Sequence, residues 1–334
     1  MLEPLIQMIG VILVGMALLS VLVTMLQYPY DVDGASFSDP EAKQYYSDAY
    51  EAALAPNDGR FVEGEEYVQK ARAHAQAAGI PRMVESFVKA SGVEDGRVLE
   101  VGAGSGLLQD VVRRYVGVDV SSRARRFFHK PFLEASATAL PFESNAFDAV
   151  WSIWVLEHIP NPEQALNEIR RVVKDGGHIL LRPAWNCDSW AAEGYEVRPY
   201  SDFGFWGKLI KASIPLRASR WYSLFHSRQV RVLRTIQTAL GGGPSRLHFR
   251  RLKPSYARYW VTDSDAVVSL DFFETYLWFA SRGDSCVNCP SLSALLLGRP
   301  GLRDETLVIQ VRKSERPAAG HKRWRSPQTS SSVL

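Results

Sequence analysis

Cysteine is scarce in this chain, with only three residues, Cys187, Cys286 and Cys289, among 334. So few cysteines exclude a disulfide-framework protein, and an odd number favours a reducing compartment. The chain also lacks an excess of one charge, because 39 Lys and Arg stand against 36 Asp and Glu. This balance gives no indication of a nucleic-acid-binding protein. Cys286 and Cys289 have a spacing typical of zinc and redox sites, but only one other cysteine exists to join them, so no metal site is assigned.

Charged residues are absent from a long apolar run, residues 5–26. As a helix rising about 1.5 Å per residue, this run matches the thickness of a bilayer's hydrocarbon core. A retained transmembrane anchor is favoured over a signal peptide, because Glu3 precedes the run and no basic residue or cleavage site flanks it. A buried globular helix would show a polar stripe, and none is present. The flanking charges leave the orientation of the anchor open.

Helical patterns follow the anchor. One begins at Pro40, a second covers residues 65–78, and a third runs from Pro81 to Ala90. We expect these helices to pack on the domain that follows. The alternative is that the tyrosines of the first helix line a ligand lid; they are Tyr45, Tyr46 and Tyr50.

A glycine-rich turn lies between two predicted strands. Arg97–Val101 is short, apolar and rich in β-branched residues, and therefore indicates a buried parallel strand. The turn Gly102–Gly106 follows, and then residues 107–115, which we predict to be helical. A second strand, Tyr115–Asp119, ends in a carboxylate placed to accept hydrogen bonds from ribose hydroxyls. Strand, glycine turn, helix and terminal acid together indicate a nucleotide-binding unit.

The turn has the spacing G-x-G-x-G, whereas a dinucleotide-binding turn would need glycine where Leu107 stands. This spacing resembles motif I of the class I S-adenosylmethionine-dependent methyltransferases. The segment Phe132–Ala184 resembles later motifs of the type-11 methyltransferase group. These motifs are the loop Ala139–Phe142, the strand Phe147–Trp151, the sequence LEHI from Leu156, the helix Glu163–Val173 and the turn Lys174–Gly177 before the strand His178–Arg182.

The resemblance implies a Rossmann-like, doubly wound α/β sheet that binds S-adenosyl-L-methionine. It assigns Asp119 to the ribose hydroxyls, the alternative being a strand-end cap. Ala135 and Ser136 replace the Gly-Asp pair that relatives often carry, so we expect altered adenine contacts. The cofactor-binding residues that the resemblance implies are Glu100, Gly102, Ala103, Gly104, Gly106, Asp119, Val120, Ser136, Ala137 and Ser152.

His158 follows the predicted fourth strand and so lies at the carboxyl end of the sheet. Methyl transfer from a sulfonium mainly requires a positioned acceptor and exclusion of water. A hydroxyl acceptor also gains from a general base, and His158 is the candidate for that role. The alternative is a histidine that only fixes its own loop. Trp151 and Trp154 lie nearby, and we assign them to packing rather than to sulfonium contact.

An insertion interrupts the methyltransferase pattern after Trp185. From Tyr200 to Trp260 it mixes aromatic residues with twelve Lys and Arg, opposed only by Asp202. This composition favours an interfacial segment on anionic lipid head groups. The alternative is a solvated basic cap over the active site; nucleic acid would not explain the anchor. A helix over 271–281 and a closing strand over 306–313 then complete the predicted sheet.

The sequence therefore predicts a membrane-anchored methyltransferase that passes the membrane once, with its catalytic domain on the cytoplasmic side. The preferred acceptor is a hydroxyl of a lipid-linked saccharide or another lipid intermediate. The alternatives are C-methylation of a prenylated quinone and a non-catalytic membrane adaptor that binds an adenosyl ligand. The predicted divisions are 1–30 (anchor), 31–90 (connector and N-terminal helices), 91–185 (cofactor-binding core), 186–262 (basic, aromatic insertion), 263–313 (end of the sheet) and 314–334 (disordered basic tail).

Overall fold

The structure is a computed structural model. It describes residues 39–50, 64–188, 190–191, 194–217, 219, 231–241, 243–254, 264–289 and 305–313, and single positions between 3 and 18. Most of the predicted anchor, residues 5–26, and the whole predicted tail, 314–334, lie outside the described residues. The positions described between 3 and 18 are helical. Within the described part of the chain, none of the helices combines the length and the apolar composition needed to cross a bilayer.

A seven-stranded sheet forms the centre of the molecule, in the order β3-β2-β1-β4-β5-β9-β8. The strands β1 to β5 are parallel, and β8 and β9 are antiparallel to their neighbours. This mostly parallel sheet confirms the Rossmann-like fold class. The strands are β1 (Arg97–Val101), β2 (Arg114–Asp119), β3 (Phe132–Glu134), β4 (Phe147–Ile153), β5 (Val173–Arg182), β6 (Phe249–Arg251), β7 (Val268–Leu270), β8 (Ser285–Cys286) and β9 (Leu307–Gln310).

The helices follow the apolar periodicity of the sequence. In the third helix Ile80, Val84, Phe87 and Val88 recur at helical spacing and are all buried, and Pro81 stands in the first turn, where its missing N–H costs nothing. The helices are α1 (Asp39–Tyr50), α2 (Gly64–Ala77), α3 (Ile80–Ser91), α4 (Pro162–Val172), α5 (Phe205–Arg217), α6 (which includes 231–240) and α7 (Phe272–Ala280).

Apolar side chains of β1 pack on both faces of the sheet. Val98 belongs to the cluster that contains Val84 of α3, and Leu99 belongs to the cluster that contains Leu166 of α4 and Leu277 of α7. Because successive residues of a strand point to opposite faces, a strand covered on both sides is apolar at nearly every position. This explains why β1 is apolar at Val98, Leu99 and Val101 rather than only at alternate positions.

The helix predicted over residues 107–115 does not form. Residues 107–113 make turns and bends, and β2 already begins at Arg114. The backbone N–H of Val111 donates to the Leu108 carbonyl at 3.1 Å, which is a tighter i to i−3 pairing than the α-helical one. The Gln109 amide donates to the Phe127 carbonyl at 3.0 Å and so ties the turn to the next crossover. The connection between β1 and β2 is too short to hold a full helix, which apolar periodicity does not reveal.

The insertion is linked by strand pairing to the chain segment that follows the fifth strand. Strands β6 and β7 form an antiparallel ladder, and Trp185 bridges to Leu270. Asp271 caps α7 by accepting from the N–H groups of Phe273 and Glu274, as a helix start predicts. The closing strand β9 is shorter than the predicted 306–313.

The cysteines do not form a metal site in the described part of the chain. Cys286 and Cys289 are joined as a disulfide, and Cys187 is buried as a free thiol. The described residues contain no group of three or more His, Cys, Asp or Glu placed to hold a metal ion.

Candidate active site

The predicted site residues come together at one edge of the sheet. Glu100 is near the end of β1, Asp119 ends β2, Ser136 and Ala137 follow β3, and Ser152 is near the end of β4. The strand order places β2, β1 and β4 side by side. Ligands of open α/β sheets bind outside the carboxyl ends of the strands, where the strand order reverses. In this chain the reversal lies between β1 and β4.

The glycine turn has a backbone that other residues would not tolerate. Gly102 has φ +74°, and a Cβ placed on it would lie 2.2 Å from a methyl carbon of Val155. The N–H groups of Gly102 and Ala103 both donate to the Val118 carbonyl at 2.9 Å. The turn therefore folds back across the end of β2. The glycines expected from the sequence to let the backbone approach a ligand also let it approach its own neighbouring strand.

Asp119 organises this turn. Its carboxylate accepts the Gly104 N–H at 2.9 Å and the Ser121 N–H at 3.0 Å. Burial raises the pKa of Asp119, and the backbone N–H donors oppose that rise. The Val120 N–H is a third backbone donor. A carboxylate has about four acceptor sites, so capacity remains for a ribose hydroxyl. The strand-end cap and the ribose contact are therefore compatible in one residue.

Glu100 is a second buried carboxyl group. Burial raises its pKa from 4.5 to about 8, although the hydrogen bond from the Tyr115 hydroxyl opposes the rise. The negative charge of Asp119 raises it further. In the unliganded protein the Glu100 carboxyl is therefore largely protonated near neutral pH. A cationic ligand group placed beside it would favour its ionised form.

The residues expected near the adenine ring have mixed environments. The Ser136 and Thr138 hydroxyls lie 2.8 Å apart, so Ser136 is engaged within its own turn. Ala137 packs against the main apolar cluster as a partly buried residue. The Ser152 hydroxyl is buried and has no hydrogen-bond partner among the described residues. A buried hydroxyl without a partner is costly, so Ser152 is a position where a ligand polar group would be stabilising.

His158 lies beside a residue that sequence reasoning missed. Its Nδ1 is 3.3 Å from the Asp265 carbonyl oxygen and 3.6 Å from a carboxylate oxygen of the same residue. The Tyr46 hydroxyl donates to Asp265 at 3.0 Å, and the Tyr46 ring meets the His158 ring edge to face at 5.8 Å. A hydrogen bond from Nδ1 to the carbonyl would leave the lone pair on Nε2. Asp265 follows the insertion, far outside the methyltransferase motifs, and carries no local signal of its own.

Helix α1 covers the same edge of the sheet. A Cβ on Gly104 would lie 3.1 Å from the Tyr50 hydroxyl, and the Ser47 and Ser121 hydroxyls are 3.0 Å apart. Lys43 forms an ion pair with Glu134 at the end of β3. The packing expected for the N-terminal helices therefore takes place directly over the candidate cofactor site.

Comparison with known proteins finds methyltransferases. Residues 99–181 match a family described as a methyltransferase domain. A ubiquinone/menaquinone biosynthesis C-methyltransferase from Hahella chejuensis is 30% identical, over 40% of this chain and 61% of its own. A ubiquinone biosynthesis O-methyltransferase from Alkalilimnicola ehrlichii is 34% identical, over 27% of this chain and 42% of its own. This chain thus spans less than two thirds of the length of either relative. Among solved structures, an S-adenosylmethionine-dependent methyltransferase from Aquifex aeolicus is 19% identical, with a TM-score of 0.31 over 36% of this chain and 72% of that one.

Residues 99–181 therefore form a class I S-adenosylmethionine-dependent methyltransferase domain. The residues present fit that cofactor. Glu100 and Asp119 supply buried carboxyl groups for cationic and hydroxyl groups, and Ser152 offers a buried hydroxyl in need of a partner. No phosphate-binding helix terminus follows the glycine turn, and S-adenosylmethionine contains no phosphate to require one.

Proposed function

We propose that this chain is an S-adenosylmethionine-dependent methyltransferase whose acceptor is associated with a membrane. The observation that carries the proposal is the glycine turn, held against Asp119 within the part of the chain that matches the methyltransferase family. The cofactor would supply a methyl group already activated on a sulfonium. The chain's own residues then have to bind it, orient the acceptor and exclude water.

Each site residue has a role in that scheme. The glycine turn and Glu100 would hold the amino-acid end of the cofactor, and Asp119 would hold the ribose. His158 accepts the proton of an acceptor hydroxyl at Nε2. Asp265 is a positioning residue. It contacts both His158 and Tyr46, and these contacts would fix the orientation of the His158 ring.

The preferred acceptor is a hydroxyl of a lipid-linked saccharide or another lipid intermediate. The catalytic domain would lie on the cytoplasmic side, because S-adenosylmethionine is found there. Two features support the membrane location itself. The uncharged run 5–26 is long enough to span a bilayer. Among its described helical positions, Val11 is 73% exposed and Leu18 is 66% exposed, as expected of side chains that face lipid.

The second candidate is C-methylation of a prenylated quinone. The C-methyltransferase relative from Hahella chejuensis, which acts in ubiquinone and menaquinone biosynthesis, favours it. The relative from Alkalilimnicola ehrlichii is an O-methyltransferase of ubiquinone biosynthesis, so the two relatives together do not distinguish carbon from oxygen as the atom methylated. An activated ring carbon has less need of a base than a hydroxyl, so the two candidates differ in their dependence on His158.

Binding of S-adenosylhomocysteine to the full chain in detergent micelles, followed by calorimetry, tests the cofactor site. Asp119→Ala should weaken binding by about tenfold or more, because a buried charge-assisted hydrogen bond is lost. Asp110→Asn, at a side chain that is 70% exposed, is the matched control and should bind as wild type. Binding of NADH but not of S-adenosylhomocysteine would overturn the assignment.

Mass spectrometry of lipid extracts incubated with the protein and S-adenosylmethionine tests the acceptor. A lipid heavier by one methylene group is expected. His158→Gln should lower kcat by about a hundredfold with an O-linked acceptor and leave S-adenosylhomocysteine affinity unchanged. Intact kcat in that variant would favour the quinone. Binding without any methylated product would favour a non-catalytic adaptor.

A further inference from the structure

Helix α6 packs with its charged side inward. Arg231 is 5% exposed and donates to Asp271 at 2.9 Å. The Arg234 guanidinium donates to both oxygens of Glu274, at 2.8 and 3.0 Å. Both acids belong to α7 or its cap. These arginines, counted from the sequence as groups for lipid contact, are occupied within the protein.

The opposite face of α6 is apolar and exposed. With about 100° per residue, the four side chains on it form one stripe on the side away from Arg231 and Arg234. They are Val232, Leu233, Ile236 and Leu240, with exposed fractions of 40%, 59%, 49% and 83%. A helix on a water-soluble surface normally has the reverse arrangement, with its apolar stripe turned to the core.

Helix α5 also has an apolar outer side, although the residue buried on its inner side is apolar rather than charged. Ile214 is buried on its inner side. The outer side carries Phe205, Trp206, Leu209 and Leu216, with exposed fractions of 70%, 73%, 48% and 56%. Contiguous exposed side chains of this size mark an interaction surface rather than ordinary scatter. Both helices belong to the insertion, which therefore presents an apolar surface of its own, separate from the exposed N-terminal positions.

The charge of the insertion identifies what covers this surface. From Phe203 to Thr262 the sequence contains no Asp or Glu but twelve Lys and Arg. Lys208, Arg246, Arg251 and Lys253 are exposed. Apolar stripes rich in Leu, Phe and Trp, in a segment with no negative charge, complement a bilayer that contains anionic lipid.

We propose that α5 and α6 lie in the head-group region of a membrane containing anionic lipid, with their outer stripes among the acyl chains. This deepens the membrane part of the proposed function and rests on it for its setting, but it requires no methyl transfer. The arginines of α6 hold the helix on the protein, and its leucines contact lipid. The insertion then acts as an interfacial platform beside the sheet.

The test uses the full chain reconstituted into vesicles of phosphatidylcholine and phosphatidylglycerol with a trace of diazirine-labelled lipid. After illumination, crosslinked peptides are mapped by mass spectrometry. Crosslinks are expected within 205–216 and 231–240. Leu233→Ser with Leu240→Ser should reduce crosslinking at α6 about fivefold or more. Val197→Ser with Val287→Ser is the matched control, at side chains that are 58% and 60% exposed outside both helices, and it should leave crosslinking unchanged.

Two results would overturn the proposal. One is crosslinking confined to residues 5–26, with none in α5 or α6. The other is a dimer in detergent that the Leu233 and Leu240 substitutions dissociate while lipid crosslinking at α6 stays absent, because the stripe would then cover a second copy. Binding of S-adenosylhomocysteine in the same vesicles reports separately on the proposed function.

Discussion

At the scale of single residues, Glu100 shows how a binding site can oppose stability. Its pKa is raised from 4.5 to about 8 by burial. Between those two values the folded state holds a proton that the unfolded state has lost, so the stability of the unliganded protein should fall as pH rises through this range.

Glu100→Gln removes this titration, so relative to wild type it should gain roughly 3 kcal/mol in stability between pH 5 and pH 8. Urea unfolding at the two pH values measures the effect. The same variant should bind S-adenosylhomocysteine more weakly, because the ligand's ammonium group loses an ionisable partner. A variant as pH-sensitive as wild type would assign the dependence to another group.

Replacing a glycine can cost stability through backbone strain and through steric clash, and a comparison of Gly102 with Gly176 distinguishes the two. Both have positive φ, +74° and +77°, but a Cβ on Gly102 would strike Val155 at 2.2 Å, whereas a Cβ on Gly176 would meet nothing within 4 Å. Gly176→Ala should therefore cost only the backbone term, about 1 kcal/mol, and Gly102→Ala about 3 kcal/mol or more. Chemical denaturation of the two variants measures the difference. Equal costs would mean that Val155 moves aside freely.

At the scale of elements, the sequence predicts those that local pattern determines. The glycine turn, β4, α3 and α4 follow from apolar periodicity and caps, and the structure has them close to the expected bounds. The missing helix at 107–113 depends instead on the short path between β1 and β2. The contact between Tyr46 and Asp265 joins residues 219 apart in sequence. Periodicity carries no information about such pairs, so the neighbour of His158 could not be found from the sequence.

Helix α1 should respond to the cofactor because Tyr50 borders the glycine turn and Ser47 contacts Ser121 just after β2. We expect S-adenosylhomocysteine to slow amide hydrogen exchange in α1 severalfold, because opening of the helix would then require release of the ligand. Helix α3, which packs on β1 away from the turn, is the internal control and should change little. Hydrogen exchange with mass spectrometry resolves the two segments. Unchanged exchange in α1 would place the ligand elsewhere.

At the scale of the whole molecule, the class of the core and the character of the insertion were predictable to different degrees. The motifs between Arg97 and Ala184 fixed the methyltransferase class, because each is short and local. The insertion's composition predicted an interface but not which side chains form it. The composition predicts that the arginines of α6 face lipid. Instead Arg231 and Arg234 form ion pairs with α7 and its cap, so that apolar rather than cationic groups of α6 face outward.

The methylation rate of a membrane-held enzyme should depend on the surface density of the acceptor lipid rather than on its bulk concentration. Confinement of enzyme and acceptor to one bilayer raises the effective concentration of each for the other. With the full chain in vesicles, dilution of the acceptor lipid by inert lipid at constant bulk concentration should therefore lower the methylation rate in proportion to its surface density. A water-soluble head-group analogue at the same bulk concentration should be methylated about a hundredfold more slowly. Radiolabelled methyl transfer measures both rates. A rate that follows bulk concentration, with equal use of the soluble analogue, would show that the acceptor is taken from solution and that the apolar surface of the insertion serves another purpose.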